Sequence, residues 1–199
     1  MKKILNIISS PRGNASYSIR LANTLIDRLR TAYPGSVVTT HDLTAVPFPH
    51  LEEVHIASFN APAESRPEEY REAILHSDQA IQELMDADIV IIGAPMYNFG
   101  VPSTLKTWID HIVRAKKTFS YSEKGAEGLV KGKKVYLVVS TGGIYSDDTA
   151  ASLDFVVPYL KTILGFIGMT DITVVRAEGL AIPDKQAVAL QKAMETVVI

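Results

Sequence analysis

The sequence predicts an α/β protein: a doubly wound parallel sheet of five strands flanked by helices. Three observations lead there. Five short runs of branched apolar residues alternate with five segments whose apolar residues recur at helical spacing. That alternation is the mark of a parallel sheet with helical crossovers. The third run, Ile89-Val90-Ile91-Ile92, is apolar on both faces, as a central strand should be. The 199 residues show no internal repeat, and their length suits one domain over residues 1–199.

The elements follow in chain order. Ile4–Ile8 is the first strand. With Met1-Lys2-Lys3 before it, this start imitates a secretory signal, but Asn6 interrupts the apolar run and Ser9-Ser10-Pro11 ends it. The run is shorter than the ~7–15 apolar residues of a signal core. Ala22, Leu25, Ile26 and Leu29 place a helix over Ser18–Leu29. Pro34-Gly35 breaks the chain, and Val37–Thr40 is the second strand. Leu43–Pro67 is polar and dotted with prolines, so it is read as an irregular insertion. One helix is expected over Glu68–Met85, and Asp88–Gly93 is the third strand. Leu105, Trp108, Ile109 and Ile112 form a helical stripe. Lys116–Gly132 is a second long segment, well beyond the ~2–6 residues usual between such elements. Val135–Val139 is the fourth strand, Val156–Leu164 a helix ending at Gly165, and Ile172–Val175 the fifth strand. Ala187, Leu190, Met194 and Val197 mark the closing helix.

Composition removes several function classes. There is no cysteine, hence no disulfide framework, no thiolate metal site and no cysteine nucleophile. Twenty basic against twenty-two acidic residues, a net charge of −2, give no electrostatic footprint for nucleic acid. No run approaches the ~18 apolar residues of a membrane span, and a cytoplasmic location is expected. His41, His50, His55, His76 and His111 are scattered without metal-ligand spacing. Asp110 and Arg114 stand four apart and read as an ion pair on a solvated helix face. Asn14-Ala15-Ser16 matches a glycosylation sequon by chance.

In doubly wound sheets the ligand lies beyond the carboxyl ends of the strands, where strand order reverses. Three loops meet that condition. Ser9–Ser18 joins the first strand to its helix and carries Ser10, Ser16 and Ser18. Helix N-termini offer unpaired N–H groups and about half a positive charge. Hydroxyls beside them suit a phosphate, although Asn14 or Ser16 would also serve as a simple helix cap. Neither the Gly-x-Gly-x-x-Gly fingerprint nor the P-loop is present. Gly128–Lys134 imitates the latter, but with short spacing and ahead of a strand.

The second loop, Ala94–Pro102, sets Met96, Tyr97, Asn98 and Phe99 where polar residues would be usual. Apolar walls with a few placed polar groups suit a flat ring. In the third, Ser140-Thr141-Gly142-Gly143, adjacent glycines allow close backbone approach and present N–H groups. A phosphate pocket, an aromatic wall and a glycine loop together describe a mononucleotide with a flat ring, and FMN fits best.

These motifs carry a family resemblance. Ser10 with Ser16-Tyr17-Ser18, the run Pro95–Phe99, and Ser140–Ile144 resemble the FMN-dependent NADH-azoreductases, also described as NADH:quinone oxidoreductases. Phe119-Ser120-Tyr121 with Glu127–Val130, Leu164–Gly168 and Ala177-Glu178-Gly179 extend the likeness over nearly the whole chain. It implies a flavodoxin-like fold with strand order 2-1-3-4-5 and a homodimer. It implies that Ser10, Ser16, Tyr17 and Ser18 hold the FMN phosphate. Met96, Tyr97, Asn98, Phe99, Ser140, Thr141, Gly142 and Gly143 would hold the ribityl chain and ring. Phe119 and Tyr121 would lie near the flavin on the substrate side, across the dimer interface.

The expected reaction is a ping-pong, two-electron hydride transfer from NADH through bound FMN to quinones and aromatic azo compounds. The cofactor carries the chemistry, so no catalytic side chain is required. Asn98 is a candidate for the ring edge and Tyr145 for proton donation. A flavodoxin-type FMN electron carrier is the alternative. Such carriers are usually strongly acidic, which a charge of −2 does not match.

Overall fold

A computed structural model describes residues 1–199 apart from Lys124, Asp148 and Val198. Five strands form one parallel sheet: β1 (Lys3–Ile8), β2 (Val37–Asp42), β3 (Ile89–Pro95), β6 (Lys134–Ser140) and β7 (Asp171–Ala177). Their order is β2-β1-β3-β6-β7, which is the predicted 2-1-3-4-5. β3 lies at the centre and is buried along its whole length, with Val90 against Leu5 on one side and Val135 on the other.

The helices divide between the two faces, and the strands supply alternate residues to each. Leu5, Ile7, Val90 and Ile92 meet α4 (Leu75–Asp86), α5 (Ser103–Ile112) and α6 (Val157–Phe166). Ile4, Ile89 and Ile91 meet α1 (Tyr17–Ala32) and α7 (Pro183–Glu195). Trp108 is the bulkiest fully buried side chain. No helix among the described residues is long and apolar enough to cross a membrane.

Three elements differ from expectation. The helix predicted over Glu68–Met85 is broken at Ile74 (φ −106°, ψ 6°) into α3 (Glu68–Ala73) and α4. Ile74 is buried at that corner, so tertiary packing overrides a continuous helical pattern. The insertion Leu43–Pro67 contains α2 (Glu53–Asn60), whose only buried residues are His55 and Ser58. With no apolar stripe it leaves no periodic signal. The segment Lys116–Gly132, in which Lys124 lies outside the described residues, holds an antiparallel hairpin of β4 (Phe119–Ser122) and β5 (Gly125–Gly128).

The Asp110–Arg114 pairing is also corrected. Asp110 pairs with Lys106, at 2.5 Å. Arg114 is buried instead: Nη1 donates to Asp78 at 2.6 Å and to Ser77 Oγ at 2.9 Å, and the guanidinium lies 4.3 Å from the Phe59 ring centroid. Beside it His111 is buried, and its Nε2 lies 3.0 Å from the Pro49 carbonyl. Phe48 and His55 face the same ring at 5.3 and 5.1 Å. This cluster fastens the Leu43–Pro67 insertion to α4 and α5.

Burial holds the His111 pKa below the ordinary histidine value; the Pro49 carbonyl and Asp110 oppose this, and His55 and Arg114 reinforce it. The neutral ring donates through Nε2, while Nδ1 has no partner among the described residues. The unfolded chain therefore takes up a proton near pH 6.5 that the folded chain refuses. Stability is full above that pH and falls as pH drops through it. Urea titrations between pH 8 and pH 5 should show this loss, and His111→Gln should flatten it. An equal slope in the variant would place the titrating group elsewhere.

Candidate functional site

The site is built where β1, β3, β6 and β7 end. Ser9 Oγ donates to the Gly93 carbonyl at 2.6 Å, binding the first loop to the third strand. A short 3₁₀ turn, Gly13–Ala15, then leads to Ser16, the N-cap of α1, whose Oγ accepts from the Ile19 amide at 3.4 Å. Ser16 Oγ and Ser18 Oγ lie 3.0 Å apart, both buried. The Arg12 amide approaches Ser10 Oγ at 3.4 Å. The Arg20 guanidinium sits 5.4 Å from the Tyr17 ring centroid, one turn into the helix.

The second loop is tied to the third by the Met96 amide, which donates to the Ser140 carbonyl at 2.9 Å. Tyr97 and Gly100 exchange both backbone hydrogen bonds, at 3.0 and 2.9 Å, around Asn98 (φ 48°) and Phe99 (φ 67°). Two positive φ values in succession are the signature of a tight two-residue turn. It turns Tyr97 and Phe99 outward, where both are exposed.

In the third loop Thr141 Oγ1 donates to the Gly143 carbonyl at 2.8 Å. The carbonyls of Thr141, Gly142 and Gly143 accept from the amides of Leu180, Ala181 and Gly179 at 3.1, 3.0 and 2.9 Å. The amides of Gly142 and Gly143 donate to no group among the described residues. A Cβ on Gly143 would stand 3.2 Å from the Tyr145 ring, so the ring lies against bare backbone there.

These loops enclose a cavity of about 560 Å³, within the ~300–1,000 Å³ usual for small-molecule sites. Of the predicted residues, Ser10, Ser16, Tyr17, Met96, Tyr97, Ser140, Thr141 and Gly142 line it. Ser18 stands one layer behind, against Ser16. Gly143 and Tyr145 lie beside Gly142 without entering the lining. A second, mainly apolar cleft of about 960 Å³ opens on the other side of Tyr97. Asn98 faces it, with Val101, Pro102, Phe155 and Tyr159.

Phe119 and Tyr121 line neither of these two cavities. Phe119 packs on Phe166 at the end of α6, with ring centroids 4.7 Å apart. Tyr121 stands edge-on to Phe119 at 5.5 Å and is 73% exposed.

Sequence reasoning missed the fourth wall: Leu180 and Ala181 from the loop after β7, and Gln186 from α7. Applying the strand-end rule to the fifth strand as well would have found it. Arg12 and Arg20 also line the cavity, and no carboxylate among the described residues does. A site with hydroxyls, two guanidiniums and a helix N-terminus at one end favours a phosphate. Free amides and aromatic rings at the other end suit a flat ring with hydrogen-bonding edges.

A family model described as flavodoxin-like fold matches residues 2–198. A relative from Burkholderia lata, named FMN-dependent NADH:quinone oxidoreductase 6, is 46% identical over 198 residues, 99% of this chain and 98% of that one. The chain belongs to this flavodoxin-like family. Another relative, the FMN-dependent NADH:quinone oxidoreductase of Herminiimonas arsenicoxydans, is 45% identical over 91% of this chain and 89% of that one. Among solved flavodoxin-like structures, an azoreductase from Bacillus anthracis strain Sterne superposes with a TM-score of 0.90 at 30% identity. That match covers 98% of this chain and 96% of the other. An FMN-dependent NADH-azoreductase from Bacillus anthracis strain Ames Ancestor, solved with FMN, gives a TM-score of 0.87 at 25% identity, covering 98% and 97%.

Proposed function

We propose that the chain is one FMN-binding domain over residues 1–199, an FMN-dependent NADH:quinone oxidoreductase that also reduces aromatic azo compounds. The observation that carries this reading is the cavity itself. Its serine-lined end, without a carboxylate among the described residues, and the Gly142 amide, with no acceptor among them, match the two ends of FMN. When bound, FMN supplies two-electron hydride chemistry between NADH and the acceptor.

The chain's own residues bind and orient. Ser10 and Ser16 donate hydroxyls to the phosphate, Ser18 aligns Ser16, and Arg12 and Arg20 balance the charge. Tyr17 and Thr141 complete the walls around the ribityl chain, with Ser140. Met96 and Tyr97 exclude water from one side of the ring. The amides of Gly142 and Gly143 stabilise negative charge on the ring edge, as preorganised donors do. Asn98 and Phe99 extend that wall toward the second cleft. No carboxylic acid or imidazole among the described residues lines the cavity, and Tyr145 stands outside the lining, so solvent delivers the proton. With no dinucleotide fingerprint, NADH and the acceptor take the same open face in turn.

We also infer a homodimer in the cytoplasm. Tyr121 at 73% and Phe155 at 60% exposure are apolar surface of the kind a second copy covers. Pairing would bring Phe119 and Tyr121 of one copy near the second cleft of the other.

The purified protein should be yellow, or become so with FMN. Under anaerobic conditions NADH should bleach the flavin band, and excess benzoquinone should restore it over many cycles. Failure to bind FMN would overturn the reading. Binding with reduction but no turnover would favour the electron carrier.

A further inference from the structure

Behind the glycine loop runs a chain of charged groups that no step of the proposed reaction uses. Arg176, near the end of β7, donates through Nη2 to Asp154 at 2.6 Å and through Nη1 to Glu178 at 3.4 Å. Glu178 accepts the Tyr145 amide at 2.9 Å and the Ser146 hydroxyl at 2.5 Å. Asp154 Oδ1 accepts the amides of Val156 and Val157 at 2.9 and 3.0 Å, which starts α6. Burial raises the Asp154 pKa, but the bonds from Arg176 and from those two amides prevail and hold it below the usual carboxylate range. One guanidinium thus joins two carboxylates, each fixing a different stretch of the segment that follows β6.

That segment meets the Asn98–Phe99 turn twice. The Phe155 amide donates to the Phe99 carbonyl at 3.2 Å. The rings of Phe99 and Tyr145 stand edge to face, 6.3 Å apart at 78°. Tyr145 cannot settle deeper, because it already lies against Gly143. The two rings therefore span the loops between which the flat ring of the cofactor would lie.

We propose that Phe99 and Tyr145 select the acceptor by width, admitting one-ring quinones more readily than two-ring azo compounds, and that Arg176 is the positioning residue that holds Tyr145 in place. The acceptor half rests on the function proposed above; the positioning half does not. Without Arg176, the carboxylates of Asp154 and Glu178 face each other uncompensated in a largely buried setting, and like charges there repel. The Tyr145 amide then loses a fixed acceptor, and the ring loses its place over Gly143.

Two measurements test this. In the cofactor-free protein, amide hydrogen exchange at Tyr145 should quicken in Arg176→Met, return toward wild type in Arg176→Lys, and stay unchanged at Leu137 in β6. Unchanged exchange at Tyr145 would overturn the positioning role. In the FMN-loaded enzyme, the ratio of kcat/KM for benzoquinone to that for a two-ring azo compound should fall about tenfold in Tyr145→Ala, the scale at which pocket shape discriminates. The change should lie in KM for the wide acceptor. Arg176→Met should move the ratio the same way, by a smaller factor, and Tyr145→Phe should leave it alone. Equal changes for both acceptors would overturn the selecting role. Exchange behaving as stated in a protein without turnover would sink the enzyme reading and the selection built on it, and leave the positioning of Tyr145 standing.

Discussion

Replacing Ser10 and Ser16 together by alanine should weaken FMN binding by about two orders of magnitude. Each hydroxyl is buried at the serine-lined end of the cavity, and Ser16 also stands at the N-terminus of α1. A hydrogen bond to a charged group contributes about 1.5–3 kcal/mol, and about 1.4 kcal/mol is a factor of ten. Ser18→Ala should have a smaller effect, since Ser18 reaches the cavity only through Ser16. Fluorescence titration with FMN and with riboflavin separates the causes. Riboflavin lacks the phosphate, so its affinity should hardly change. An unaltered FMN affinity, or an equal loss for both ligands, would remove the phosphate from this end of the site.

Gly128→Ala should cost about 3 kcal/mol, the upper part of the usual range for forcing atoms into a packed interior. A Cβ on Gly128 would stand 2.2 Å from the Gly168 nitrogen and 2.3 Å from the Ile167 carbonyl carbon. Both are backbone atoms and cannot swing aside. The Val130 amide, two residues on, donates to the Ile167 carbonyl at 2.8 Å, so the contact is clamped. The strain must lift the hairpin of β4 and β5 from the end of α6. Phe119 would then leave Phe166, and the proposed dimer would lose the element that carries Tyr121. Thermal unfolding should show the loss, and sedimentation should show a shift toward single chains. Gly165→Ala is the control, because nothing lies within 4 Å of its Cβ. If Gly128→Ala melts and assembles like wild type, the packing described for the hairpin is wrong.

The parallel sheet was legible because its signal is local and repeated. Ile89–Ile92 could sit only in a buried strand, and the stripe of Leu105, Trp108, Ile109 and Ile112 could turn only one face inward. The hairpin was hidden because its strands are four residues each, and the alternation of Phe119-Ser120-Tyr121-Ser122 has no counterpart in Gly125–Gly128, which holds no branched residue. It is held by the close approach of two glycines far apart in sequence. α2 was hidden because polar contacts of His111 and Arg114 anchor its region rather than an apolar face.

The site divides in the same way. The residues singled out in the strand-end loops were legible as a set, and the structure gathers eight of them on one cavity: Ser10, Ser16, Tyr17, Met96, Tyr97, Ser140, Thr141 and Gly142. Arg20 lies a turn inside a helix, where arginine ordinarily means solvent. Gln186 reaches the site only because α7 returns beside α1. Arg176 and Asp154 are 22 residues apart, and no local spacing connects them to the Tyr145 amide.

The Asn98–Phe99 turn also sets a limit on improvement. Asparagine accepts a left-handed backbone readily, but phenylalanine does so at a cost of about 1–2 kcal/mol. Glycine at position 99 would relieve that cost and surrender the ring that faces Tyr145. A laboratory lineage selected for heat resistance alone would thus drift toward a sturdier and less discriminating reductase. Durability and choosiness compete at one residue, and only a selection that scores both would keep its phenylalanine.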